Sequence, residues 1–99
     1  PDGSAVDLFV EVEKNINVEE LNRIIKSKSQ TDRLKNIIEY SESPIVSTDI
    51  IGNSKSSIYD VSGTSVINGK YLRTLNWYDN EWGYSNRVVD LVNLLNKFI

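Results

Sequence analysis

The chain contains no cysteine, no histidine and no methionine, and each absence removes a class of function. Without cysteine there is no disulfide framework and no thiolate, so redox chemistry gives no sign of the compartment. Without histidine no serine has an imidazole to activate it, and a self-contained nucleophile–base pair is excluded. Ser56 and Ser57 are therefore expected to be turn and strand-edge residues. Without methionine the chain does not open on an initiator, and Pro1-Asp2-Gly3 runs directly into a strand pattern. The expectation is a cleaved or truncated piece of a longer protein. A signal-peptide pattern is missing, and no apolar run is long enough for a membrane span. The net charge of −3 is spread along the chain without a basic cluster, which gives a nucleic-acid partner no support. Asp49 and Asp60 have no further ligands around them, so no metal site is expected.

What is present fits a small globular domain. Apolar residues make up 39% and charged residues 25%, too apolar for a disordered chain. At 99 residues there is enough chain for one domain, though its independent core is marginal. No repeat, low-complexity tract or long linker divides it.

Residues 4–13 alternate, with Val6, Leu8, Val10 and Val12 on one face and Asp7, Glu11 and Glu13 on the other. That pattern predicts a half-buried strand of an antiparallel sheet. Asn17 with Glu20 three residues on predicts a helix start, and Val18, Leu21, Ile24 and Ile25 form its apolar face. This helix is expected to fade over Lys26–Gln30, where basic residues suit its dipole. Residues 34–40 read as a short strand, and a loop follows to Pro44, which biases the residue before it to extended backbone. Ile45-Val46 and Ile50-Ile51 read as short apolar segments, and Gly52-Asn53-Ser54 as a turn. Residues 56–61 and 64–67 read as strand pieces. Asn68-Gly69 predicts a hairpin turn into a strand over 70–78. The expected class is α+β: a mainly antiparallel sheet, one covering helix and a long C-terminal helix over residues 81–99.

The densest segment is Asn76–Leu91, with four aromatics at the junction of that last strand and the terminal helix. Tyr84, Val88, Leu91, Leu95 and Phe98 recur at helical spacing, and Trp82, Val89 and Leu94 widen the stripe. A helix apolar over most of its circumference expects burial on more than one side. Arg87 and Asp90, three apart, read as a solvated ion pair. Trp77, Tyr78 and Trp82 read as packing residues. Asp79 and Glu81 read as first-turn acids favoured by the helix dipole rather than as an acid–base pair. Asn80 has two readings from its chemistry. Asparagine is among the preferred N-cap residues, and a carboxamide can also donate and accept at once toward another amide. Tyr84, four residues on, is either the head of the core stripe or a flat wall beside Asn80.

The run Asn76-Trp77-Tyr78-Asp79-Asn80-Glu81-Trp82-Gly83-Tyr84-Ser85-Asn86-Arg87-Val88-Val89-Asp90-Leu91 closely resembles the WYDNEWGYSNRVVDL segment of phosphorylating glyceraldehyde-3-phosphate dehydrogenases. Four more stretches resemble that family in the same order. They are Pro1-Asp2-Gly3-Ser4 with Val6-Asp7-Leu8, Val18–Asn22, Ser43–Asn53 and Ser56–Asp60. The resemblance implies that residues 1–99 are the later part of the catalytic domain of an NAD-dependent enzyme. In that enzyme a cysteine attacks the aldehyde, hydride passes to NAD, and phosphate resolves the thioester to 1,3-bisphosphoglycerate. It implies that Asn80 and Tyr84 contact the nicotinamide. It also implies that the terminal helix returns to an NAD-binding domain, and that the enzyme is a cytoplasmic homotetramer acting on glyceraldehyde 3-phosphate. The family's catalytic cysteine and histidine and its glycine-rich fingerprint would precede Pro1. The isolated chain is therefore expected neither to bind NAD nor to catalyse. Alternatives are the paralogous erythrose-4-phosphate dehydrogenase, an NADP-preferring form, or a stand-alone interaction module.

Overall fold

The computed structural model describes residues 3–43 and 50–96, the side chains of 94–96 excepted. The elements run β1 (Ser4–Glu11), α1 (Val18–Ser29), β2 (Ile38–Ser41), β3 (Ser57–Ile67), β4 (Tyr71–Tyr78) and α2 (Trp82–Asn96). The four strands form one sheet in the order β1-β4-β3-β2, and the class is α+β as expected. β4 pairs antiparallel with both β1 and β3, while β2 pairs parallel with β3.

The β3–β4 hairpin turns where Asn68-Gly69 predicts it. Asn68 (φ 53°) and Gly69 (φ 72°) both lie in the left-handed region that this dipeptide tolerates best. The two strand pieces of the sequence reading are one strand interrupted by a bulge. Between the pairs Asp60↔Leu75 and Ser65↔Arg73, β3 advances five residues and β4 two. Asp60 stabilises the detour, its Oδ1 accepting from the Ser62 N–H at 2.9 Å and the Ser62 hydroxyl at 2.6 Å.

α1 has the predicted N-cap: the Glu20 N–H donates to Asn17 Oδ1 at 2.8 Å. The helix holds through Ser29 instead of fading, with Lys26 and Lys28 in its last turn. It packs on β2 and β3, where Leu21 and Tyr59 are buried, while Ile58 is buried on the opposite face of β3 and Ile50 lies beside Gly3. The Tyr59 hydroxyl donates to Asn22 Oδ1 at 2.9 Å, and its ring stacks on Tyr40. Burial holds the Tyr59 hydroxyl above the usual phenol range.

Three expectations need correction. Residues 34–37 are not strand: the Lys35 and Ile38 N–H groups donate to the Thr31 and Leu34 carbonyls, helix-type turns that delay the strand to Ile38. β1 is paired, but Val6 and Leu8 are each 49% exposed. Those side chains share a sheet face with Tyr59, yet α1 covers only β2 and β3 and does not reach the opposite edge. Trp82 is not a packing residue here, since half of it is exposed. The terminal helix follows the expectation over the described residues, and Phe98, Pro44 and Ile45-Val46 lie outside them. No described helix is long and apolar enough to cross a membrane.

Candidate functional site

The junction of β4 and α2 is organised by Asp79, not by Asn80. Asp79 is 2% exposed. Its Oδ1 accepts from the N–H groups of Glu81 at 2.9 Å and Trp82 at 2.8 Å, the second and third residues beyond it, which makes Asp79 the N-cap. Its Oδ2 accepts from the Gly52 N–H at 2.8 Å, tying the helix start to a loop 27 residues away. The capping reading of Asn80 is therefore overturned: a neighbouring carboxylate holds the position.

Asn80 is exposed. Its Oδ1 accepts from the Gly3 N–H at 2.8 Å, a donor that fixes which end of the amide is oxygen, and lies 3.5 Å from the Ser4 hydroxyl. Its Nδ2 has no partner among the described residues, so the amide presents a donor outward. α2 begins two residues later, so Asn80 and Tyr84 do not share a helix face as the spacing anticipates. They nonetheless line one recess of about 290 Å³, together with Ser56, Tyr78, Gly83 and Arg87. Tyr84 is 67% exposed, a wall rather than a core residue in this chain.

Two residues seat this recess against the segments that lead into β2 and β3. Gly83 is buried with its α-carbon so close to the Lys55 carbonyl that a Cβ would lie 2.7 Å from that oxygen. Arg87 forms the ion pair read from the sequence, with its Nε 3.0 Å from Asp90 Oδ2. The contact lacks hydrogen-bond geometry. The guanidinium points inward instead, Nη1 donating to the Asn36 carbonyl at 2.9 Å and the Ser56 hydroxyl at 3.2 Å. The bond from Gly52 to Asp79 and those from Arg87 to Asn36 and Ser56 leave no local signature in the sequence, because the partners lie 27 or more residues away.

Trp77 is held to the sheet rather than simply packed: its indole N–H donates to Asp60 Oδ2 at 2.9 Å. Burial pushes the Asp60 carboxyl up, but hydrogen bonds from Ser62, Trp77 and the Ser62 and Gly63 N–H groups outweigh it, and the group lies below its ordinary value of 3.8. A carboxyl lowered in the folded state stabilises fully above its unfolded value and loses that contribution as pH falls through the folded one. Urea midpoints are therefore expected to fall from roughly pH 5 downward, less steeply in Asp60→Asn. Identical slopes for the two proteins would refute the assignment. Asp7 is lowered too, by its hydrogen bond from Arg73, but that pair is exposed and salt should weaken it.

Comparison with known proteins bears on this junction. Residues 1–80 match the glyceraldehyde 3-phosphate dehydrogenase C-terminal domain. The glyceraldehyde-3-phosphate dehydrogenase of Thermotoga maritima is 55% identical over 95 residues, covering 96% of this chain and 28% of the relative. That of Borreliella burgdorferi is 50% identical over 98 residues, 98% of this chain and 29% of the relative. That of Phaffia rhodozyma is 48% identical over 95 residues, 96% and 28%. The chain thus spans less than a third of the length of these relatives. With the domain model matched through Asn80 and the relatives aligned across nearly all of this chain, the chain belongs to the glyceraldehyde 3-phosphate dehydrogenase family, as a C-terminal portion.

Proposed function

We propose that this chain is the later part of the catalytic domain of an NAD-dependent glyceraldehyde-3-phosphate dehydrogenase, and that the β4–α2 recess is one wall of its nicotinamide pocket. The observation that carries the reading is the Asn80 amide: its oxygen is engaged by the Gly3 N–H while its Nδ2 is left as a donor in a recess bounded by the Tyr84 ring. An oriented donor beside a flat aromatic fits the carboxamide oxygen and the ring face of a nicotinamide. Bound NAD would supply the hydride acceptor. Asn80 would fix which ring face is presented, and Tyr84 would limit how far the ring can tilt and keep water from that side.

In the parent enzyme the aldehyde-reacting cysteine and its base come from outside these 99 residues, which contain neither residue type. The apolar side chains exposed on α2 and β1 would be covered there by the NAD-binding domain and by sister subunits of a cytoplasmic homotetramer. Glyceraldehyde 3-phosphate and inorganic phosphate would be the substrates, with no membrane or nucleic-acid partner.

Asn80→Asp in the full-length dehydrogenase tests the reading, because the carboxylate keeps the acceptor for Gly3 and replaces only the donor. The KM for NAD is expected to rise by roughly five- to hundredfold, the loss of about 1–3 kcal/mol for an enclosed hydrogen bond. Melting should change little. Wild-type KM in this variant would overturn the assignment.

A further inference from the structure

We infer that Arg87 is the positioning residue of the recess, fixing the tilt of α2 and through it the place of Tyr84. The inference rests on the proposed reading of Tyr84 and Asn80 as the cofactor-facing wall. α2 carries the Tyr84 side of that wall but is barely packed on the sheet. Among its described apolar side chains Val88, Val89, Leu91 and Val92 are all exposed, so hydrophobic burial within this chain does not set its orientation on the sheet. Three anchors at four-residue spacing do. Asp79 accepts from Gly52, Gly83 sits against the Lys55 carbonyl, and Arg87 donates to Asn36 and Ser56.

Residues four apart lie one above another on a helix, so Gly83 and Arg87 form a single line facing Asn36, Lys55 and Ser56, with Asp79 at the helix start. Tyr84 is one residue round from that line. The wall is therefore presented beside the anchors, and its placement follows theirs. Asp79 and Gly83 both hold the first turn and act as a pivot. Arg87 lies a turn further on, and its guanidinium is the contact that stops rotation about that pivot. Its side chain is 25% exposed and lines the same recess as Tyr84. The fork geometry matters, because one planar group reaches a carbonyl and a hydroxyl of different segments. A lysine would bring the charge as a single point.

The test compares Arg87→Gln and Arg87→Lys in the full-length dehydrogenase, each alone and in a Tyr84→Ala background. Arg87→Gln is expected to raise the KM for NAD roughly three- to tenfold, the scale of losing one or two modest hydrogen bonds. Arg87→Lys should recover part of that loss. In the Tyr84→Ala background Arg87→Gln should add nothing to KM, since its effect passes through Tyr84. A lower melting temperature with unchanged KM would mean that Arg87 only stabilises the fold, and the inference would be wrong. Additive KM effects in the double variant would also overturn it. If Asn80→Asp raises KM while Arg87→Gln does not, the positioning role fails and the cofactor reading stands. If neither moves KM, both fail.

Discussion

Asp79→Ala is expected to lower folding stability by about 2–4 kcal/mol, through the helix cap and the tie to Gly52 together. The carboxylate is almost fully buried and serves three backbone N–H groups from two segments. Loss of an N-cap alone costs about 1 kcal/mol. Here the Gly52 N–H also loses a charged acceptor in a part-buried hydrogen bond, which adds about 1–3 kcal/mol. Asp79→Asn separates the two contributions. Its amide oxygen still caps the helix, but an N–H then faces the Gly52 N–H, so the expected cost is about 1–3 kcal/mol. Urea denaturation of the three proteins checks this order. If Ala and Asn cost the same, the cap contributes nothing. If Asn costs nothing, the bond to Gly52 is dispensable.

Gly63→Ala is expected to cost about 2–4 kcal/mol, through overpacking rather than backbone strain. A Cβ at Gly63 would lie 2.5 Å from Leu75 Cβ and 2.7 Å from its Cδ2. The branch atoms can rotate away, but the Cβ is fixed to the backbone of β4. The two strands would have to separate at the bulge. Gly52→Ala is the control with the opposite cause. Gly52 has φ +78° and open space around it, so alanine there meets only the left-handed penalty of about 1–2 kcal/mol. Truncation of Leu75 distinguishes the mechanisms. Leu75→Ala keeps the offending Cβ and should not rescue Gly63→Ala. Rescue would show that the clash lies with the leucine branch instead.

Features closed within a few residues were legible in the sequence. The Asn17 cap bonds three residues ahead, and the Asn68-Gly69 turn needs only its own backbone. The sequence reads 56–61 and 64–67 as separate strand pieces and does not show the bulge that joins them, because its size depends on the register against β4. Residues 34–37 were misread because a short apolar run has the same period in a strand and in a tight turn, and local hydrogen bonds decided between them. Asn80 and Asp79 are adjacent good caps by type, and composition cannot rank them. The Gly52 N–H and the Gly3 N–H did so, one drawing Asp79 inward and the other taking Asn80.

The sequence by itself determined the α+β class, the hairpin, the helix starts to within a few residues and, through five ordered motifs, the family. It also determined that no thiol or imidazole chemistry can arise within this chain. Tertiary structure alone decided the parallel pairing of β2 with β3, and the exposure of β1's apolar side chains beyond the reach of α1. It alone joined Asn80, Tyr84 and Arg87 around one recess. The physical reason is range. Propensity, capping and turn chemistry act over four or five residues, whereas a recess assembled from Gly3, Asn36, Ser56 and the β4–α2 junction exists only once the sheet has brought those segments together.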